Sequence, residues 1–100
     1  MKRREVKVDC DPASAQRLAT VVRKFALAAY PPGGSDCGQA ARQALLYTSD
    51  RCARHPGGDL LLPRRQLPHL RSAVAWYFSE QEPDSAALAM QLGRLLGQNR

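Results

Sequence analysis

Three cysteines and two histidines are the side chains of this sequence best suited to chemistry, and their spacing limits what that chemistry can be. Cys10, Cys37 and Cys52 are an odd number separated by long gaps, which argues against a disulfide framework and for small buried hydrophobes. The only metal-like spacing is Cys52-Ala53-Arg54-His55. Completing a tetrahedral site there would require Cys10 and Cys37 to converge from distant segments, so no metal is expected. Cys37 lies near the start of an expected helix, where the dipole favours a thiolate, and it is the best candidate for a reactive thiol. Packing is its alternative role. His55 sits in a Pro-Gly turn and His69 is flanked by Arg65 and Arg71, and neither has an evident carboxylate to orient it. General acid-base catalysis needs convergent titratable groups, so the expectation is a non-enzymatic protein with no cofactor.

Charge offers a second kind of chemistry. Fifteen Lys and Arg against nine Asp and Glu give a formal net charge of +6, and the first two-thirds of the chain carries the excess. A basic surface attracts phosphates by counterion release, and arginine, far more frequent here than lysine, is the better fork for phosphate or carboxylate. Clusters at Lys2, Arg3, Arg4 and Lys7 and at Arg64 and Arg65 are the candidate nucleic-acid contacts. A solvated surface is the other reading of the same residues.

These residues must be positioned by one small domain spanning 1–100, since compact domains typically hold about 100–150 residues. With 44% hydrophobic and 24% charged residues the chain has ordinary globular composition, which excludes a collagen-like repeat or a disordered tail. No apolar run approaches the roughly 18 residues of a membrane span, and no signal-peptide core follows Met1-Lys2-Arg3-Arg4, so a cytoplasmic location is expected.

Arg4 to Cys10 alternates polar and apolar residues, which predicts a strand with Val6, Val8 and Cys10 inward and Glu5, Lys7 and Asp9 outward. Asp11-Pro12 then provides an N-cap and a first-turn proline for a helix whose stripe is Leu18, Val22, Phe25 and Ala29. Pro31-Pro32-Gly33-Gly34 ends it. A second helix is capped by Ser35 or Asp36, with Gln39 placed to bond back, and its expected buried face is Cys37, Ala41, Ala44, Leu45 and Thr48. Small residues dominate that face, so it needs neighbours to complete its burial. After the break at His55-Pro56-Gly57-Gly58, Asp59 to Pro63 reads as a short strand. A third helix follows Pro63 or Pro68 with Leu67, Leu70, Ala73, Val74, Tyr77 and Phe78 on one face, and Leu88, Leu92, Leu95 and Leu96 form the stripe of a fourth. The predicted fold is therefore mostly α in the order β-α-α-β-α-α, with four helices and a minor two-stranded antiparallel ribbon.

That order repeats a three-element unit. Leu18, Val22 and Phe25 align with Leu70, Val74 and Tyr77 at a constant offset of 52 residues, the pattern of an internal duplication. Pairing residues 5–10 with 60–62 would satisfy the backbone groups that each lone strand leaves open.

Strand, helix, helix, with Gly34-Ser35-Asp36-Cys37-Gly38-Gln39-Ala40-Ala41-Arg42-Gln43-Ala44-Leu45 opening the second helix, resembles the ribbon-helix-helix DNA-binding regulators over residues 4–50. In that family strands from two subunits pair and enter the DNA major groove. The resemblance implies groove-facing positions at Lys7, Glu5 and Asp9, and a phosphate near the amides of Ser35 and Asp36. It points to a small basic DNA-associated regulator, a homodimer in the family's usual form; with the basic clusters read from charge, the expected contacts to duplex DNA are Arg3, Arg4, Lys7, Arg64 and Arg65. The alternative is a protein-interaction or oligomerisation module, with Trp76, Tyr77 and Met90 as apolar anchors for a protein partner.

Overall fold

The computed structural model describes residues 4–97, and the expected order of elements is the observed one. Strand β1 is Glu5–Asp9, followed by helices α1, Pro12–Ala29, and α2, Asp36–Ala53. Strand β2, Asp59–Pro63, then leads through a 3-10 turn, Arg64–Gln66, into α3, Leu67–Trp76. A π turn, Tyr77–Gln81, precedes α4, Ala86–Leu96. No helix among the described residues is long and apolar enough to cross a membrane.

β1 and β2 pair antiparallel within the chain, with Val6 opposite Leu62, Lys7 opposite Leu61 and Val8 opposite Leu60. Two further backbone bonds extend the ladder equally at both ends, Arg64 N to Arg4 O at 2.8 Å and Cys10 N to Gly58 O at 3.0 Å. Gly58 reaches this position with φ of 78°, a left-handed conformation that suits glycine. Period-two alternation holds: Val6, Val8, Cys10, Leu60 and Leu62 are buried beneath the helices. Because both strands come from one chain, the ribbon is complete without a second copy.

Helix α1 is entered from Asp11 in extended conformation with Pro12 in the first turn, but the Asp11 carboxylate makes no side-chain cap bond. The Ser14 hydroxyl, ahead of the nearby backbone amides, still holds that carboxyl below its ordinary value. Leu18, Val21, Val22 and Ala26 seat α1 in the core between α2 and α3. Helix α2 is capped by Ser35, whose side chain accepts from Gly38 N at 3.1 Å. Gln39 does not close a capping box; it donates to Pro31 O at 2.8 Å and fixes the loop before the cap instead. Arg71 on α3 reaches the last turn of α4, donating to Leu96 O at 3.2 Å.

Core positions recur between the two halves at regular offsets. Leu18, Val22 and Phe25 correspond to Leu70, Val74 and Tyr77, while the strands correspond at an offset of 54, since the ladder is symmetric about the Lys7–Leu61 pair. In the second pair of helices, buried Leu45, Thr48 and Ser49 correspond to buried Leu92, Leu95 and Leu96 at an offset of 47. The second half thus repeats the order of elements on shorter links. Part of the shortening is the 3-10 turn, which starts directly after Pro63 where β1 and α1 are separated by Cys10 and Asp11.

Candidate functional site

The ribbon's outward face carries the first group of candidate residues. Lys7 is exposed at its centre, opposite Leu61, with Glu5 and Asp9 on its own strand and Asp59 on the other. Three carboxylates therefore surround one ammonium, and Leu61 and Pro63 complete the face. The arginines lie elsewhere. The Arg64–Arg4 backbone bond sets both residues at one end of the ribbon, and Arg65 follows, exposed, in the 3-10 turn. Arg3 lies outside the described residues. The opposite end brings Asp9 level with Asp59, next to Asp11. The ribbon is thus electrically polar along its length, basic at the Arg4–Arg64 end and acidic at the Asp9–Asp59 end.

Each end opens beside the second helix of one half. At the basic end a groove of about 360 Å³ runs between α2 and the β2–α3 junction. Ala41, Ala44 and Tyr47 form its α2 side and Pro63 its ribbon side, while Arg51, Arg65 and His69 border it. Tyr47 is 64% exposed, with the Arg51 guanidinium 6.0 Å from its ring centroid. Arg51 is itself fixed by Glu5, at 3.1 Å, so α2 is tied to the ribbon at the groove's edge. Beneath, Thr48 donates to Gln66 Oε1 at 2.6 Å.

This groove exists because the apolar face of α2 is wider than the fold covers. Leu45 and Thr48 are buried as expected, but Ala44 and Cys37 are exposed and Ala41 only half-buried. Cys37 is therefore not the buried hydrophobe its spacing implies; only Cys10 and Cys52 are. Tyr47 and Arg51 were not among the candidates, and the signal for them was the i,i+4 aromatic–arginine pair at the edge of that stripe.

At the acidic end the corresponding groove, about 430 Å³, lies between α4 and the β1–α1 link. Asp9, Asp11 and Ser14 line one side, Met90, Gln91 and Arg94 the other, and Gln91 donates to Ser14 Oγ at 3.0 Å. The offsets that relate the two halves place Asp9 where Pro63 stands and Ser14 where Gln66 stands. Each groove lies beside the second helix of one half, one with Pro63 and the other with Asp9 from the ribbon.

Of the three aromatic or thioether anchors expected from sequence, only Met90 projects, at 59% exposed. Tyr77 is 6% exposed, a core residue, with the Lys24 ammonium 5.6 Å above its ring. Trp76 packs on Phe25 with centroids 5.9 Å apart. Tyr77 thus belongs to the core, and Trp76 is partly buried against it.

Cys10, Cys52 and His55 are tied into the fold. Burial pushes the Cys10 thiol up to about 11 and the Cys52 thiol to about 12. His55 Nε2 lies 2.9 Å from Cys10 O and 3.2 Å from Gly58 O; both partners are carbonyls, so this nitrogen carries the proton and donates. Among the described residues no group of three His, Cys, Asp or Glu could hold a metal. The chain has no significant match among protein-family models, curated proteins or solved structures.

Proposed function

We propose that this chain is a non-enzymatic protein-binding module, built as two ribbon-helix-helix-like units in one polypeptide. The observation that carries this reading is the ribbon's outward face, where Glu5, Asp9 and Asp59 surround Lys7. In a ribbon-helix-helix regulator this face would lie in the major groove. Here Asp9 and Asp59 disfavour phosphate, Glu5 is held by Arg51, and Leu61 and Pro63 offer no side-chain donor to a base edge. The polar-rimmed apolar groove beside α2 supplies the features of a protein contact in their place.

A second reading has an observation in its favour. Arg4, Arg64 and Arg65 share one end of the ribbon and could hold the backbone of duplex DNA without reading its sequence. Titration of the protein with a labelled random duplex at increasing salt separates the two. Protein binding predicts at most weak binding at low salt that disappears near physiological salt. Micromolar binding at physiological salt, with a steep log-log slope that flattens in Arg64→Gln/Arg65→Gln, would overturn it in favour of DNA.

A further inference from the structure

We propose that the groove between α2 and the β2–α3 junction binds an acidic, apolar segment of a partner protein: one or two large aliphatic or aromatic side chains flanked by Asp or Glu. This deepens the protein-binding reading and rests on it.

The shape and the charge of the groove each select part of this occupant. Its volume of about 360 Å³ is at the lower end of the roughly 300–1,000 Å³ typical of ligand pockets, enough for one or two side chains. Ala41 and Ala44 keep its α2 wall low, so a partner's side chain can approach the helix backbone closely. Tyr47 stands beside them as a rigid amphipathic surface, the residue type that concentrates binding energy when a partner excludes water from it.

Charge then chooses among apolar segments. Arg65 borders the groove, and Arg4 stands at the same end of the ribbon. Glu5, the carboxylate at this end among the described residues, is engaged by Arg51. A basic segment would meet like charge here, whereas an acidic one meets guanidinium groups suited to paired carboxylate contacts. The equivalent groove at the other end is an internal control supplied by the duplication. There Asp9 and Asp11 line the ribbon side with Arg94 on the α4 side, so the same segment would meet carboxylates that do not line the groove beside α2.

The test is selection from a displayed library of random 12-residue peptides on the full chain. It is followed by titration of enriched peptides against wild type, Ala44→Glu, Arg65→Glu and Met90→Glu, with circular dichroism confirming that each variant folds. Ala44, Arg65 and Met90 are all exposed, and glutamate is a good helix former. The expected result is enrichment of peptides pairing Asp or Glu with Leu, Phe or Trp. Their binding should weaken at least tenfold in Ala44→Glu and in Arg65→Glu and stay as wild type in Met90→Glu. Enriched peptides that are basic, or that bind Ala44→Glu and Arg65→Glu unchanged, overturn the groove assignment and leave the protein-binding reading standing. No enrichment, with duplex DNA bound at physiological salt, overturns both. Association of the chain with itself that Ala44→Glu abolishes in sedimentation also overturns the proposal, by making a second copy the occupant.

Discussion

Thr48 on α2 donates to Gln66 of the 3-10 turn at 2.6 Å, joining two residues from opposite halves of the duplicated fold under the candidate groove. The bond is the pair's answer to a packing problem, because Thr48 is 2% exposed and its hydroxyl would otherwise be buried without a partner. Leu95 holds the equivalent position in α4, and there the polar link is made instead by Gln91 and Ser14. Each second helix is thus pinned to the other half by one side-chain bond.

Thr48→Val keeps the shape of the side chain and deletes the donor. The expected loss is about 1 kcal/mol, the usual net worth of one hydrogen bond, with part of it due to Gln66 losing its partner. Urea unfolding would read this as a lower midpoint at unchanged slope. An unchanged midpoint would mean that water replaces the bond and that the junction is not held by it.

The cysteines divide by burial into one accessible and two protected thiols. Cys37 is exposed, so a mild thiol reagent at neutral pH should label one equivalent in the folded protein and three after unfolding. Stability should also fall above pH 9. Cys10 and Cys52 have folded values raised to about 11 and about 12 from an ordinary 9.0, so the unfolded chain ionises first and the native state loses ground as pH rises through that window. Cys52→Ala should show a shallower decline between pH 9 and 11 than wild type. Equal slopes would mean that other groups cause the alkaline loss.

Arg42 on α2 is half-buried, and its Nε is a buried donor with no hydrogen-bond partner. Such a donor costs on the order of 1–3 kcal/mol, and methionine can follow the same aliphatic path without it. Arg42→Met is therefore expected to raise the urea midpoint, by about 1 kcal/mol in free energy, with no change in fold by circular dichroism. Destabilisation instead would show that the guanidinium end of Arg42 contributes more than its Nε costs.

How far sequence reasoning reached follows from how local each signal was. The alternation at Val6, Val8 and Cys10 and the stripes of α1 and α4 depend on residues within one element, and each was legible except at Ala29, which is exposed at the end of α1. So was the order of elements, because Pro-Gly clusters punctuate it. What escaped depends on neighbours distant in the chain. Periodicity identified the apolar side of α2 but not that the fold would stop short of Ala44 and Cys37, which is what opens the groove. Likewise an aromatic pair such as Trp76-Tyr77 reads alike as anchor or core. Only the presence of Phe25, some fifty residues earlier, decides it. The charge reversal between the ribbon's ends needed the strand register, which brings Arg4 beside Arg64 and Asp9 beside Asp59.

The acidic end of the ribbon should be the weaker one without His55. Asp9 and Asp59 face each other directly across the ladder, an arrangement that destabilises antiparallel pairs. His55 offsets this by donating from Nε2 to Cys10 O and Gly58 O, one carbonyl on each side of the ladder's last rung. His55→Ala removes both contacts and is expected to cost about 1 kcal/mol. The sharper test compares two amides by hydrogen exchange, Cys10 N at the acidic end and Arg64 N at the basic end, since each closes one end of the same ladder. In His55→Ala the Cys10 amide should exchange at least tenfold faster while the Arg64 amide follows only the global loss of stability. Equal acceleration at both amides would show that the ribbon opens as a unit and that His55 contributes to the fold without clamping one end of it.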